Sequence, residues 1–485
     1  MSTEITFPEG FIFGSATAAY QIEGAAAEGG RGPSIWDTFS HTPGAVADGH
    51  NGDVACDHYH RMPQDVALMK SLNLGAYRFS ISWARCMPDG VTPNPEGIRF
   101  YSELVDELLA AGIKPMITLY HWDLPQTLED KGGWANRETA YLFAKYAAVM
   151  HQALGDRVDF WTTLNEPWCA AFLGYAAGVH APGRQDPTTA LAAAHHLLLA
   201  HGLAVAELRR RSSELQVGIT LNFTVADPLD PTSPSDVDAA RRIDGQFNRI
   251  FVHPIFSGEY PADVLEDTAH LGFTQFIQDG DLAIISAPTD FLGVNYYHGE
   301  AVTTLESVAN NSNGEATVLE SHAPPGSETP SPYVAAEGVT SVSRGLPVTD
   351  MDWEVQPDGL RRLLNRLHAE YTGPAGIPLY ITENGAAYAD QADSNGFVDD
   401  QDRLAFIDAH LRALKDALDD GVDVRGYLAW SFMDNFEWSY GYHKRFGLVR
   451  VDYQTQVRTP KASALWFAEV AASNSLPSAS QPISL

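Results

Sequence analysis

Short apolar runs recur along the chain, each ending at a polar cluster or a Pro or Gly breaker. They occupy residues 11–17, 76–82, 114–120, 159–165, 217–222, 290–297, 379–384 and 425–431. Most are rich in Ile, Val, Phe and Tyr, as strands buried on both faces are. Between them lie helical patterns over 63–74, 97–111, 137–154, 188–211, 356–371 and 401–420. Strand and helix in alternation predict a parallel sheet, and eight strands predict that it closes. The fold class expected is α/β, a single (β/α)8 TIM barrel with extended loops at the C-terminal face of the strands. The spacing is uneven, so the reading is one decorated domain and not a solenoid. Residues 300–350, rich in Ser, Gly, Pro and Asn, follow the sixth run and predict a loop over the barrel mouth. Residues 1–473 read as the barrel domain and 474–485 as a flexible tail.

The polar residues at the ends of these runs carry the candidate chemistry. Gln21 and Glu23 follow the first run, and Arg78 lies within the second. His121, Trp122 and Asp123 follow the third, and Asn165 and Glu166 end the fourth. Asn295, Tyr296 and Tyr297 end the sixth. Glu383 and Asn384 end the seventh, and Trp430 lies at the end of the eighth, with Glu437 and Trp438 beyond it. In a parallel barrel this is the end where active sites are built. Two glutamates stand out, in Thr163-Leu164-Asn165-Glu166-Pro167 and Ile381-Thr382-Glu383-Asn384-Gly385. A glutamate at a strand end is more often a cap or a loop ion pair than a catalyst. A pair of them, however, is the minimum for cutting a glycosidic bond: one to protonate the leaving oxygen, one to attack the anomeric carbon. Amides and carboxylates that bind several hydroxyls, with indole faces to lie under a pyranose, suit a sugar. No GxxxxGK phosphate cradle and no HExxH pair occur. His58 and His60 lack an evident third ligand, so a structural role is expected for them and no metal.

Composition narrows the partners. The 485 residues are 45% hydrophobic and 11% aromatic, enough for a large core. Lys plus Arg total 31 against 62 Asp plus Glu, a net charge of -31. That excess repels nucleic acid and anionic membranes and leaves a neutral small molecule as the expected partner. A homo-oligomer is compatible with it. Cys56, Cys86 and Cys169 show no disulfide or metal spacing and suit a reducing compartment. The opening residues show no basic and apolar leader pattern, so a cytoplasmic protein is expected. The apolar stretch 190–206 is interrupted by His195, His196 and His201 and reads as a buried helix, not a membrane span.

Taken in order, the motifs resemble the family 1 glycoside hydrolases, the β-glucosidase family. The resemblance begins at Phe11-Ile12-Phe13-Gly14-Ser15-Ala16-Thr17 and runs to about residue 472. It passes through Tyr77-Arg78-Phe79-Ser80, His121-Trp122-Asp123-Leu124-Pro125, Asn165-Glu166-Pro167-Trp168, Thr382-Glu383-Asn384-Gly385 and Trp430-Ser431-Phe432-Met433-Asp434-Asn435-Phe436-Glu437-Trp438. It implies that 1–473 is a catalytic domain, with Glu166 as acid/base and Glu383 as nucleophile. It implies that Gln21, His121, Asn165, Glu437 and Trp438 hold the non-reducing sugar over Trp430. It implies that Arg78, Asn295 and Tyr297 surround the nucleophile, and that Trp168 is the platform for the leaving group. Cys169, Leu173 and His180, in the loop after the acid/base, are expected at the cavity mouth on that side.

The activity implied is retaining hydrolysis of terminal β-D-glucosyl residues, with β-galactosides and β-fucosides, from aryl glycosides and short oligosaccharides such as cellobiose. That activity would serve cellulose degradation, without a cofactor. Three alternatives stand beside it. Relatives that cut 6-phosphoglycosides carry serine where this chain has Glu437, although Lys444 and Arg445 lie close by. A transglycosylase would share the scaffold. A catalytically dead glycan-binding protein would lack one of the two glutamates. Glu383 is expected to be ionised beside Arg78 and Tyr297, and Glu166 protonated through burial and the nearby charge.

Overall fold

The computed structural model describes residues 5–310 and 330–477. Eight parallel strands close a barrel in sequence order. They are β1 (Ile12–Thr17), β2 (Ala76–Ser80), β3 (Lys114–Tyr120), β4 (Phe160–Asn165), β5 (Gln216–Phe223), β6 (Phe291–Tyr296), β7 (Leu379–Asn384) and β8 (Val424–Trp430). β8 returns to β1 with Trp430 opposite Ala16. All eight lie on the expected runs; six have ends shifted by a residue or two, because the backbone ladder sets the limits of a strand and apolar content does not.

The barrel interior is layered. At the N-terminal end Ile12, Ala76, Met116, Phe160, Phe291, Tyr380 and Leu428 form a separate apolar plug. Phe160 and Phe291 stack there at 4.1 Å. Above the plug the interior turns polar. Thr220 donates to Thr382 at 3.3 Å, and Thr382 donates to Asn295 Oδ1 at 2.8 Å. A packed floor under a polar layer leaves only the C-terminal mouth open for a ligand.

The outer layer contains His58–Ser71, Pro95–Ala111, Glu138–Leu154, Pro187–Arg211, Pro357–Leu367 and Gln401–Asp419. Their boundaries have local causes. Asn94 accepts from the Glu96 amide ahead of Pro95, and Gly112 at φ 79° ends that helix. Asp186 caps the helix Pro187–Arg211 by accepting from the Thr188 amide. This is the one described helix long and apolar enough to cross a membrane, yet 83% of its most apolar window is buried inside the fold. Its histidines are tied inward: His195 to Asp281 at 2.8 Å and His201 to Thr163 at 2.8 Å.

Three segments differ from the sequence expectation. Part of the expected 300–350 loop is a small sheet, in which Glu300–Thr304 pairs antiparallel with Val339–Val342 and parallel with Ala226–Pro228. These strands are short and mixed in polarity, so no period marks them. Buried Glu300 secures them by accepting from Thr224 and Tyr333. Residues 311–329 of that expected loop lie outside the described residues. Between β5 and β6, Pro234–Asp244 and Ile250–Ser257 are helical where the sequence pattern left no element. Lastly, Ser475 and Leu476, assigned to the flexible tail, pair with Ile5 and Thr6. Leu476 is fully buried, an apolar anchor that the Ser- and Pro-rich composition around it conceals. The rest of that tail, from 478, lies outside the described residues.

Candidate active site

Two register slips aim the key side chains. Along β4, Thr162 faces Gly218 of β5 but Asn165 faces Thr220, so β4 carries one extra residue. Along β7, Ile381 faces Val294 of β6 but Glu383 faces Asn295, again one extra residue. Strand side chains alternate between faces, so one inserted residue moves every later side chain to the opposite face. The bulges therefore bring Asn165 and Glu383 to the interior. Glu166 follows Asn165 with φ at 46°, and its amide donates to the Thr220 carbonyl at 3.0 Å. Trp122 and Trp438, also in the cavity wall, have φ of 77° and 47°. Left-handed backbone at bulky residues costs about 1–3 kcal/mol each and clusters where a site demands it.

The cavity, about 790 Å³ with its open mouth included, is lined by both glutamates. Glu383 Oε1 accepts from Arg78 Nη1 at 2.5 Å, and its Oε2 accepts from the Tyr297 hydroxyl at 2.7 Å. Glu166 Oε1 accepts from Asn295 Nδ2 at 2.6 Å, and its Oε2 accepts from the Cys169 thiol at 3.2 Å. Asn165 is oriented from both ends. Its Oδ1 accepts from Arg78 Nη2 at 2.7 Å and Asn295 at 3.1 Å, so its Nδ2 donates to His121 Nε2 at 3.1 Å. That assigns the His121 proton to Nδ1. Gln21 Nε2 donates to the Phe436 carbonyl at 2.8 Å, Asn435 Oδ1 at 3.0 Å and Glu437 Oε2 at 3.5 Å. His121 Nδ1 and Gln21 Oε1 are thus a buried donor and a buried acceptor, and neither meets a protein partner among the described residues. Both match a hydroxyl, which donates and accepts.

Electrostatics separates the two glutamates. Burial, then the charge of Glu383, pushes the Glu166 carboxyl up to about 8. Burial also lifts Glu383, but Arg78 and the Tyr297 hydroxyl oppose it, so Glu383 is the anion of the pair. Glu437 is pushed up to about 8 by burial and by both other carboxyls. Burial and the Arg78 charge hold His121 neutral, well below the ordinary imidazole value. Of the buried carboxyls at 166, 383 and 437, the first two sense the Arg78 guanidinium, and Glu437 is opposed only by its hydrogen bond from Gln21.

Comparison with known proteins agrees with this geometry. The family model for glycosyl hydrolase family 1 matches residues 3–476. The chain belongs to that family. It is 50% identical over 476 residues to a thermostable β-glucosidase B of Thermobispora bispora, covering 98% of this chain and 92% of that protein. A bifunctional β-D-glucosidase/β-D-fucosidase of Bifidobacterium breve is 45% identical over 480 residues, covering 97% of this chain and 99% of its own. Among solved structures, a psychrophilic β-glucosidase from Micrococcus antarcticus superposes with TM-score 0.91 at 53% identity, over 97% of this chain and 98% of the other. A Thermotoga maritima β-glucosidase in complex with castanospermine gives 0.86 at 42% identity, over 97% and 99%.

In this family 1 hydrolase the expected residues divide by position. Glu166, Glu383, Glu437, His121, Tyr297, Trp430 and Trp438 line the cavity. Gln21, Arg78, Asn165 and Asn295 are buried beside it and hold the lining groups. Cys169, Leu173 and His180 line it too. Trp168 departs from expectation. It is fully buried, its indole N–H donates to Gln246 at 3.2 Å, and its ring packs on Phe247 at 4.2 Å. Phe247, not Trp168, is the ring in the cavity wall there. His58 and His60 are hydrogen-bonded to carboxylates, His58 to Asp65 and His60 to Asp57 and Glu28. Sequence reasoning missed Asn222, Phe247, His298 and Trp353 in the wall. Asn222 had a signal, as a polar residue at the end of β5. Phe247 and Trp353 come from long connections, whose path over the mouth no local pattern reveals.

Proposed function

We propose that this protein is a retaining β-glucosidase. It hydrolyses terminal non-reducing β-D-glucosyl residues from aryl glycosides and short oligosaccharides such as cellobiose, with β-fucosides and β-galactosides also accepted. One observation carries the reading: two buried carboxyls share one cavity in opposite environments. Glu383 is held as an anion by Arg78 and Tyr297, and Glu166 is lifted to about 8.

The chemistry follows from that difference. A Glu383 oxygen attacks C1, and the bond from C1 to the aglycone oxygen breaks as that oxygen takes the Glu166 proton. Ester formation removes the Glu383 charge, one of the two causes that lift Glu166, so the Glu166 pKa falls and its carboxylate, left by the proton transfer, is stable. Water then attacks C1 while giving its proton to Glu166, and the C1–Glu383 bond breaks. Two inversions leave the configuration retained. Reading kcat/KM on aryl β-glucosides, β-galactosides, β-fucosides and cello-oligosaccharides, with the anomer of the first product read by NMR, tests this. An α-anomer as first product would refute it.

Glu437 bears on the choice between glucoside and 6-phosphoglucoside. The two cations close by in sequence are committed elsewhere: Lys444 to Asp350 at 3.2 Å and Arg445 to Asp434 at 2.6 Å. Because Glu437 is pushed up to about 8, charge repulsion is only part of the penalty for a phosphate at neutral pH. The rest is a buried dianion without a cation. The enzyme is expected to prefer a β-glucoside over its 6-phosphate by about 10²-fold or more in kcat/KM, a gap of about 3 kcal/mol or more. Glu437→Ser is expected to narrow the gap while weakening the plain glucoside. Equal kcat/KM on the two sugars in the unmodified enzyme would remove Glu437 from sugar recognition.

A further inference from the structure

We propose that Cys169, oriented by Asn222, is the positioning residue that lets Glu166 act as an acid in one step and a base in the next. This rests on the acid/base reading of Glu166. The argument starts from the other oxygen. Asn295 Oδ1 accepts from the Thr382 hydroxyl at 2.8 Å, so its amide cannot turn over, and Nδ2 must face Glu166 Oε1. An N–H group only donates. Oε1 therefore cannot carry the acid proton toward Asn295, and the proton belongs on Oε2.

Oε2 meets the Cys169 thiol at 3.2 Å. A thiol has one proton and free lone pairs, both weak. Asn222 Nδ2 donates to the sulfur at 3.5 Å, which leaves S–H to point at Glu166. Toward the ionised base the thiol donates. Toward the protonated acid it turns its proton aside and competes little with the aglycone oxygen. A second amide at this place would hold Glu166 ionised, and an alkyl group would leave Oε2 of the ionised form without its donor. Burial, then the Glu166 charge, keeps the thiol pKa well above the ordinary value, so the group stays S–H. The other groups facing Glu166 are Glu383 on β7, Arg78 on β2, neutral His121 after β3, the Tyr297 hydroxyl after β6 and Glu437 after β8. Cys56 and Cys86 are fully buried away from the cavity lining, so the effect is specific to this thiol.

The readout is the alkaline limb of kcat/KM against pH on an aryl β-glucoside, where the free enzyme loses its acid proton. Cys169→Ala and Cys169→Val both remove the hydrogen bond to the charged form of Glu166, so the pKa of Glu166 rises. The limb is expected to move upward by about half a pH unit in both, the size of one weak hydrogen bond to a carboxylate. Val fills the thiol's volume and carries the test should Ala loosen the wall. Cys169→Ser, whose hydroxyl also donates and accepts, is expected to return the limb to its native position or below it. An unmoved limb in both Ala and Val variants, with changes confined to KM or melting temperature, would reduce Cys169 to a packing residue. Glu166→Ala separates the two readings: the limb is expected to vanish there, and its survival would overturn the acid assignment and this proposal with it.

Discussion

Glu383→Gln is expected to lower kcat/KM on every β-glycoside by about 10⁴-fold or more, about 5 kcal/mol of barrier. The amide keeps the volume of the side chain but has no anionic oxygen to form the ester. Glu166 and Glu437 cannot replace it. Both are lifted to about 8, and neither is held by Arg78 and Tyr297 as Glu383 is. The fold is expected to survive, because Arg78 keeps its bond to Asn165 at 2.7 Å and the interior loses one of three crowded carboxyls.

A second measurement on the same variant checks the electrostatics apart from turnover. Glu383 is the largest cause, after burial, of the raised Glu166 pKa. Removing that charge is therefore expected to bring Glu166 down from about 8, though not to an ordinary carboxyl, since burial remains. Carbon NMR of labelled glutamate reads this directly. Near-normal turnover in the variant would remove Glu383 from the mechanism. An unmoved Glu166 titration would show that the two carboxyls do not sense each other, and that the handover from acid to base has another cause.

The barrel was legible because its strands are buried on both faces and must be apolar. β3 and β7 coincide with their expected runs, residues 114–120 and 379–384. The site was legible for a related reason: polar side chains at the ends of apolar strands are costly unless used, and Glu166, Glu383 and His121 were found that way. What was not legible depends on relations between distant segments. The bulges in β4 and β7 exist only as a register against β5 and β6. Trp168 reads as an aromatic platform in its motif, but Phe247 and Gln246, from the connection after β5, cover it. The Cys169 thiol lies within reach of Glu166 because the chain turns helical between them, and Asn222 meets it only because β5 lies beside β4 in the barrel. The sheet around Glu300 rests on a buried carboxylate and its hydroxyl donors, which a scan for apolar period passes over.

Glu166→Ala is expected to divide substrates by their leaving groups. Protonation helps only an aglycone that is a poor anion, and general-acid assistance is about 10²–10⁴-fold. An alkyl glucoside or cellobiose should therefore lose activity by about that factor in the first step. An aryl glucoside with a strongly acidic phenol should still expel its aglycone, since Glu383 keeps its hydrogen bonds from Arg78 and Tyr297. The second step then lacks a base for water. The glycosyl-enzyme is expected to accumulate, seen as a burst of phenol followed by slow turnover and as the mass of the sugar on the protein. Azide needs no base, and it should fit the space vacated by the carboxyl between Asn295 and Cys169. Added azide is expected to restore turnover on the activated substrate and to yield the β-glycosyl azide, the anomer that attack from the Glu166 side requires. A uniform loss across leaving groups, or an α-azide, would contradict the assignment, because each would mean that proton transfer or acceptor attack does not come from the Glu166 face of the cavity.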